Sequence, residues 1–378
     1  MIISRVVETE DAFSDLREQW DDVLRRSSSN EFFLTWEWLF AWWKSFKEDS
    51  DRLCIILLAE EGILAGIAPL MISETNYYGF RLRKLCFIGE GASDRSDVFV
   101  VRNDPAIFSE LVKCIYNKIE GWDLIYLREI PENSLFLEYM KGHFEHLDVE
   151  EDSKCPYIEF NPETNWESFY KSLSKKIKRD FANKINRMAK LGSYSFEHIR
   201  DKKTVSDYID TIKRIELNSL KADTNISLCF DSEEKVNFQK RIVDGAGQGY
   251  EVLVSFLKLN GQTIAHLYGF IYNNVYHTYN MAFLPEYVRV SPGKLLMNET
   301  VRWVIENKYK KFDFLRGDSY IKSKWSQDSR NQIRLTVFSK SLKHSIIRLL
   351  VFKIRPALKK MINKSHLSGT DNSIGENA

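Results

Sequence analysis

Paired cysteines, long apolar runs and an excess of either charge are all missing from this sequence. Its five cysteines, Cys54, Cys86, Cys114, Cys155 and Cys229, are odd in number and widely scattered. None stands in a C-x-x-C pair or beside histidines at ligand spacing, which argues against a disulfide framework and against a zinc site. No metal is expected. Lysine and arginine total 54 against 53 acids, a net charge of +1, so no whole-molecule field attracts nucleic acid. No stretch approaches the ~20 apolar residues that span a bilayer, and the first residues lack the basic-then-apolar pattern of a signal peptide. The expected location is the cytoplasm. The sequence contains no G-x-S-x-G, H-E-x-x-H or G-x-x-x-x-G-K-[ST], and no strand followed by G-x-G-x-x-G. Hydrolase, zinc-protease, nucleotidase and dinucleotide readings thereby lose their strongest markers. What remains is transfer chemistry by positioning.

With 378 residues and 44% hydrophobic content the chain can build two ordinary cores. Periodicity predicts a strand near 2–7, a helix over 11–26 and a second helix N-capped by Thr35. That second helix carries Trp36, Trp38, Trp42 and Trp43, which cover too many faces for one narrow stripe. Either some rings line a cleft or the helix is wedged between two domains. Runs at 53–59 and 63–72 read as a hairpin, and a third run at 82–88 leads into the loop 89–97. This loop holds two glycines with Asp94 and Asp97, suited to polar substrate groups or to an ordinary turn. A strand at 98–101, a helix at 105–119, a strand at 124–127 and a helix at 135–140 complete an alternating α/β unit.

Two helical segments follow at 166–192, where eight lysines and arginines face only two acids, Glu167 and Asp180. They form either a solvated basic face or a phosphate-binding one. The α/β pattern then restarts, with strands at 194–199, 251–259, 263–272, 275–283, 312–315 and 334–338 and helices at 204–220, 233–246 and 293–306. The fold class expected is α/β, of α+β kind: two tandem modules, each a mixed, mostly antiparallel sheet flanked by helices. The division expected is 1–160, 161–340 and a tail, 341–378. Residues 341–364 of that tail are basic and amphipathic, split by Pro356, and suited either to an anionic membrane surface or to the protein's own body. Its end is read as disordered.

The informative segment is 281–297. A strand leads through a loop into a helix with Ser291 as N-cap, Pro292 at the first helical position and Gly293 behind it. Backbone N–H groups at such a helix start hold pyrophosphate without a special side chain, although Pro-Gly also opens helices that bind nothing.

Pro285-Glu-Tyr287 followed by Ser291-Pro-Gly-Lys-Leu-Leu296 resembles the strand-loop-helix motif with which GNAT acyltransferases hold the pyrophosphate of acetyl-CoA. The chain is similar to the CelD/BcsL branch of that superfamily (BioF2-like domain), related in fold to the FemABX peptidyltransferases. Phe33-Leu-Thr-Trp-Glu-Trp38, the loop 89–97, Ile215-Glu-Leu-Asn-Ser-Leu-Lys221, Gly261-Gln-Thr-Ile-Ala265 and Phe312-Asp-Phe-Leu-Arg-Gly-Asp-Ser-Tyr320 carry the resemblance in order over 30–338. Two departures stand out. Pro292 removes one amide donor from the loop, and Tyr320 and Lys322 are separated by Ile321 where the family pattern has them adjacent.

The resemblance implies two GNAT-like modules, acyl-CoA (acetyl-CoA) as co-substrate, and an amine or hydroxyl acceptor on a sugar or polysaccharide precursor of exopolysaccharide or cell-envelope synthesis. Coenzyme A would lie on Val290, Ser291, Gly293 and Lys294. Glu216 matches the family's glutamate as general base, with His266 as second candidate, though a lone strand histidine is commonly a core residue. Tyr320 would protonate the leaving thiolate and Asp313 orient it or a substrate hydroxyl. Trp36, Asp94, Asp97, Lys221, Lys322 and Trp325 are placed with the acceptor. Lys44 and Arg179 match positions that grip an acceptor diphosphate in FemABX proteins, implying a nucleotide- or lipid-linked sugar. The rival readings are a FemABX-like aminoacyl-tRNA-dependent transferase and a non-catalytic scaffold of a polysaccharide-synthesis complex. Contact with the inner face of a membrane would run through 341–364; the oligomeric state is left open.

Overall fold

The computed structural model describes residues 1–144, 147–222, 224, 227–317, 322–326, 328–339, 347, 349 and 350. In chain order the elements are β1 (Ile2–Val7), α1 (Glu10–Ser14), α2 (Arg17–Arg26), a 3-10 turn (Phe32–Leu34), α3 (Trp36–Phe46), β2 (Arg52–Leu53), β3 (Ile55–Glu60), β4 (Ile63–Ala68), β5 (Leu70–Tyr77), β6 (Phe80–Phe87), β7 (Phe99–Val100), α4 (Pro105–Lys118), β8 (Leu124–Pro131), α5 (Leu135–His143) and β9 (Asp148–Glu159). Then come α6 (Trp166–Ser172), α7 (Lys175–Ala189), β10 (Tyr194–Ile199), α8 (Lys202–Asp207), α9 (Ile209–Leu217), α10 (Glu233–Gly245), β11 (Glu251–Leu259), β12 (Gln262–Tyr272) and β13 (Val275–Phe283). A second 3-10 turn (Pro285–Val290), α11 (Pro292–Glu306), β14 (Lys311–Asp313), α12 (Lys322–Trp325) and β15 (Asp328–Phe338) complete the order.

One sheet of eleven strands runs through both halves in the order β10-β11-β12-β13-β14-β9-β15-β8-β6-β5-β2, beside a small sheet β1-β3-β4-β7. All pairings are antiparallel except β13 with β14 and β6 with β8. Each half therefore holds one parallel pair, in the mixed, mostly antiparallel arrangement expected. The last strand, β15, returns between β8 and β9, so a cut at 160/161 would divide one continuous sheet.

The run 63–72 is two strands rather than one. Pro69 has no N–H to extend the ladder, and there the chain leaves the small sheet as β4 and enters the large one as β5. β9 carries no apolar alternation that would announce a strand. Ion pairs with neighbouring strands support it instead: Arg128 with Asp152 at 2.8 Å and Arg334 with Glu150 at 2.5 Å.

One apolar cluster joins the halves. Trp38 of α3 packs edge-on against Phe238 of α10, Phe270 of β12 and Tyr279 of β13, and its indole N–H donates to Ser93 Oγ at 2.9 Å. The tryptophan-rich helix is thus wedged between the halves. Burying each such ring contributes roughly 1.5–3 kcal/mol, so the seam is part of the core. Of the tail, Ile347 is buried against Leu82, Leu124 and Phe338; the rest of 341–364, apart from Leu349 and Leu350, lies outside the described residues. No helix among the described residues is long and apolar enough to cross a membrane.

The pairing of β12 with β13 slips at Tyr268/Gly269: Tyr268 faces Asn280 and Gly269 faces Thr278, leaving Tyr279 as an extra residue. Opposite this bulge a Cβ on Gly269 would stand 2.2 Å from the carbonyl oxygen of His277. Gly269→Ala is therefore expected to cost about 1–3 kcal/mol or more through overpacking against backbone, read as a lower urea midpoint with unchanged slope.

Candidate active site

The bulge in β13 sets the geometry. Successive strand residues normally point to opposite faces, but the extra residue lets both Tyr279 and Asn280 border one cleft. That cleft, about 640 Å³, is walled by Trp42 and Phe46 of α3, Phe238 of α10, and Asp94, Lys221, Cys229 and Arg316. Below it lies a buried polar chain. Asn280 Nδ2 donates to Glu216 Oε1 at 2.6 Å, and Asn280 Oδ1 stands 2.8 Å from His266 Nε2. The backbone N–H groups of Cys229 and Phe230 also donate to Glu216, at 2.9–3.1 Å. Glu216 is completely buried, so its charge is held by three donors in place of water.

This placement revises two roles. A general base must reach the proton it takes, and Asn280 stands between Glu216 and the cleft. His266 is also completely buried, and burial pushes its imidazole down to about 4. With Asn280 Oδ1 as acceptor, Nε2 carries the proton and the ring is neutral near pH 7.

Asp94 does border the cleft. Its Oδ1 pairs with Arg316 Nε at 2.9 Å, and burial raises its carboxyl against the pull of Arg316. Arg316 further donates to Glu129 at 3.2 Å and to the carbonyl of Gly91 at 3.0 Å, binding the loop 89–97 to the segment after β14. Lys221 lies in the same cleft with no ion-pair partner among the described residues.

A second cavity, of about 800 Å³, opens between α6–α7 and the start of α11, lined by Lys176, Arg179, Phe181, Lys294 and Trp325. It brings together three residues expected in the site: Arg179, Lys294 and Trp325. Trp325 packs on Phe181, and Lys294 stands 3.7 Å from Asp180. Ser291 occupies the N-cap position without capping by its side chain. It closes the 3-10 turn with its N–H on Val288 and opens α11 at once, which forces a left-handed conformation at φ 51°. Its carbonyl takes the N–H groups of Lys294 and Leu295, so with Pro292 lacking a donor only Gly293 keeps a free amide among these residues. Gly293 and Val290 are both buried, Gly293 against Met281 and Phe283.

The remaining candidates lie elsewhere. Trp36 stacks on Phe40 and donates to the carbonyl of Phe13, while Trp42 takes the place beside the cleft. Lys44 is held by Glu10 at 2.6 Å and lines neither cavity with Arg179. Asp97 is buried under Ser29, Ser134 and the N–H of Val98, tying three loops together, and burial lifts its carboxyl to about 6. Asp313 is locked to Arg95 at 2.5 Å. Lys322 turns its ammonium onto the carbonyls of Phe314 and Arg316, and burial lowers it. Tyr320 lies outside the described residues. Among the described residues no group of His, Cys, Asp or Glu could hold a metal. Sequence reasoning passed over Asn280 and Arg316. The signal for Asn280 was a polar amide among apolar residues of β13.

Residues 175–323 match the family model of an acetyltransferase (GNAT) domain. No curated protein matches the chain. Among solved structures, that of FemX aligns with a TM-score of 0.60 at 10% identity, covering 89% of this chain and 98% of that one. A conserved protein of unknown function from Bacteroides thetaiotaomicron VPI-5482 aligns at 0.53 and 12% identity, covering 88% and 100%. The C-terminal domain of a putative lysylphosphatidylglycerol synthetase from Agrobacterium fabrum also reaches 0.53 at 12%, covering 89% and 97%. At these identities the likeness is one of fold.

Two outcomes are expected. Glu216→Gln places an amide donor against the donors that now serve the carboxylate, and should lower stability by about 1–3 kcal/mol in a urea titration. The unfolded chain protonates His266 near 6.5, the folded one only near 4, so its contribution is complete above 6.5 and is lost as pH falls toward 4. The stability advantage of the wild type over His266→Gln should shrink across that window; an advantage independent of pH would contradict the neutral, buried ring.

Proposed function

We propose that the chain, carrying a GNAT acetyltransferase domain at 175–323, transfers an acyl group from acyl-CoA, acetyl-CoA being the simplest, to an amine or hydroxyl of a sugar or polysaccharide precursor. The observation that supports this most directly is the parting of β13 and β14. They pair in parallel through Val275–Lys311, Tyr276–Phe312 and His277–Asp313 only, and β13 then runs on to Phe283 and into α11. Both cavities border the opened region, one through Tyr279, Asn280 and Arg316, the other through Lys294 and Trp325.

The donor set fits a diphosphate: Lys176, Arg179 and Lys294 line one cavity against the single acid Asp180. Gly293 N–H and these cations would hold the cofactor, which supplies the activated acyl thioester. Holding by side chains offsets the sparse amides of the first helical turn. In the other cleft Asp94 takes the proton that the acceptor must lose, its raised carboxyl matching that task better than an ordinary aspartate. Glu216 acts through Asn280, fixing the amide in place. Lys221 provides positive charge where the attacked carbonyl gains negative charge. Trp42, Phe46 and Phe238 form an apolar wall on which a sugar ring can stack and from which water is excluded.

Thermal-shift titration should show stabilisation by acetyl-CoA or a longer acyl-CoA, about 2.7 kcal/mol at ~100 times Kd, and none by uncharged tRNA. Lys294→Met should weaken that binding about tenfold or more. Absence of any shift with every coenzyme A species would leave a scaffold. Once an acceptor is in hand, Asp94→Asn should cut kcat by ~10²–10⁴ with KM nearly kept. Full turnover in Asp94→Asn, alongside an inactive but stable Glu216→Gln, would return the role of base to Glu216.

A further inference from the structure

A third cavity, of about 410 Å³, shares no lining residue with the other two. Six chain segments converge on it: the loop before α3, the loop 89–97, the end of β9, the β12–β13 turn, the start of β14 and the start of β15. Its floor is Arg95, Asp313 and His277, all at least 98% buried. Two atoms there, Arg95 Nε and His277 Nδ1, have no hydrogen-bond partner. Asp94 of the acyl cleft and Arg95 of this floor are consecutive, so the two cavities stand back to back across one loop.

The charge of the wall is unbalanced. Its acids are already engaged: Glu31 with Arg95 at 3.0 Å and Arg330 at 3.4 Å, Asp313 with Arg95 and with the N–H of Leu315 at 2.9 Å, Glu159 with Lys311 at 3.4 Å. Apart from Arg95, its cations are less fully engaged. Lys310 has no ion-pair partner among the described residues, and Lys311, almost fully buried, has only the long contact to Glu159 and the face of Tyr157 at 3.6 Å. Among the described residues Arg330 makes one ion pair, at 3.4 Å, and it lies over the same ring. Four cations against three acids leave the lining one positive charge in excess. An anion would find an ammonium, a guanidinium and amide side chains lining a cavity of suitable size.

We propose that this cavity is a second ligand site, separate from the acyl cleft, that binds a compact oxyanion, either a phosphate monoester or a carboxylate. Lys310 and Arg330 grip it from the rim and Lys311 from within. The test is calorimetric titration of the full chain with inorganic phosphate, a hexose 1-phosphate and acetate. At least one should bind saturably at one per chain, and the strongest of the three identifies the source: free phosphate, a phosphorylated sugar or a carboxylate. That binding should weaken about tenfold or more in Lys311→Met and in the double variant Lys310→Met, Arg330→Met, while acetyl-CoA binding is unchanged. The double variant alters rim side chains and so keeps the test valid if Lys311→Met fails to fold. Lack of saturable binding by all three anions, or equal binding by the wild type and the double variant, overturns the site.

Discussion

β14 has two possible partners beyond Asp313, and it follows the one that leaves β13 open. The N–H of Phe314 goes to the carbonyl of Pro156 and that of Gly317 to Lys154, so the chain continues along β9. Every amide that leaves the β13 ladder must be paired elsewhere, and β9 supplies that pairing. The result is a sheet that remains continuous while one parallel pair within it diverges. Without β9 as an alternative ladder the wedge beside Asn280 would close or leave buried groups unsatisfied.

Charge is concentrated along the same seam. Arg316 joins Asp94, Glu129 and Gly91 on one side of the loop 89–97, and Arg95 joins Glu31 and Asp313 on the other. Ions buried this deeply contribute little net stability, because desolvation offsets most of their attraction. What they supply is registration: each arginine uses fixed, planar donors to hold several segments at defined angles. The loop is thereby fixed with Asp94 facing one cavity and Arg95 the other. An apolar packing of the same residues could slide; this one cannot without exposing an unpaired charge.

The N-terminal half repeats the parallel pair in β6 and β8 but not the opening. Arg316 reaches between them to Glu129 of β8, and the space beside it is small, lined by Glu90, Tyr126 and Arg128. The two halves therefore share a scaffold and divide the work. One presents the opened strands, while the other contributes the wall of α3 and the loop that closes over them.

Local pattern was enough to read most elements and the helix start at Pro292, because strand alternation, helical periodicity and turn residues act over a few neighbours. The family resemblance brought Arg179, Lys294 and Trp325 forward as candidates, and these three do meet at one cavity. Local pattern could not find β9, whose strand character comes from ion pairs with residues 24 and 184 positions away, Arg128 and Arg334. It likewise could not show that Asn280 lies between Glu216 and the cleft, or that Glu10 claims Lys44 and Arg95 claims Asp313. The sequence by itself determined which residues bear charge, cap helices and alternate along strands. Tertiary structure decided which of those charges are already spent on one another, since pairing depends on distances that only the folded sheet and its bulge set.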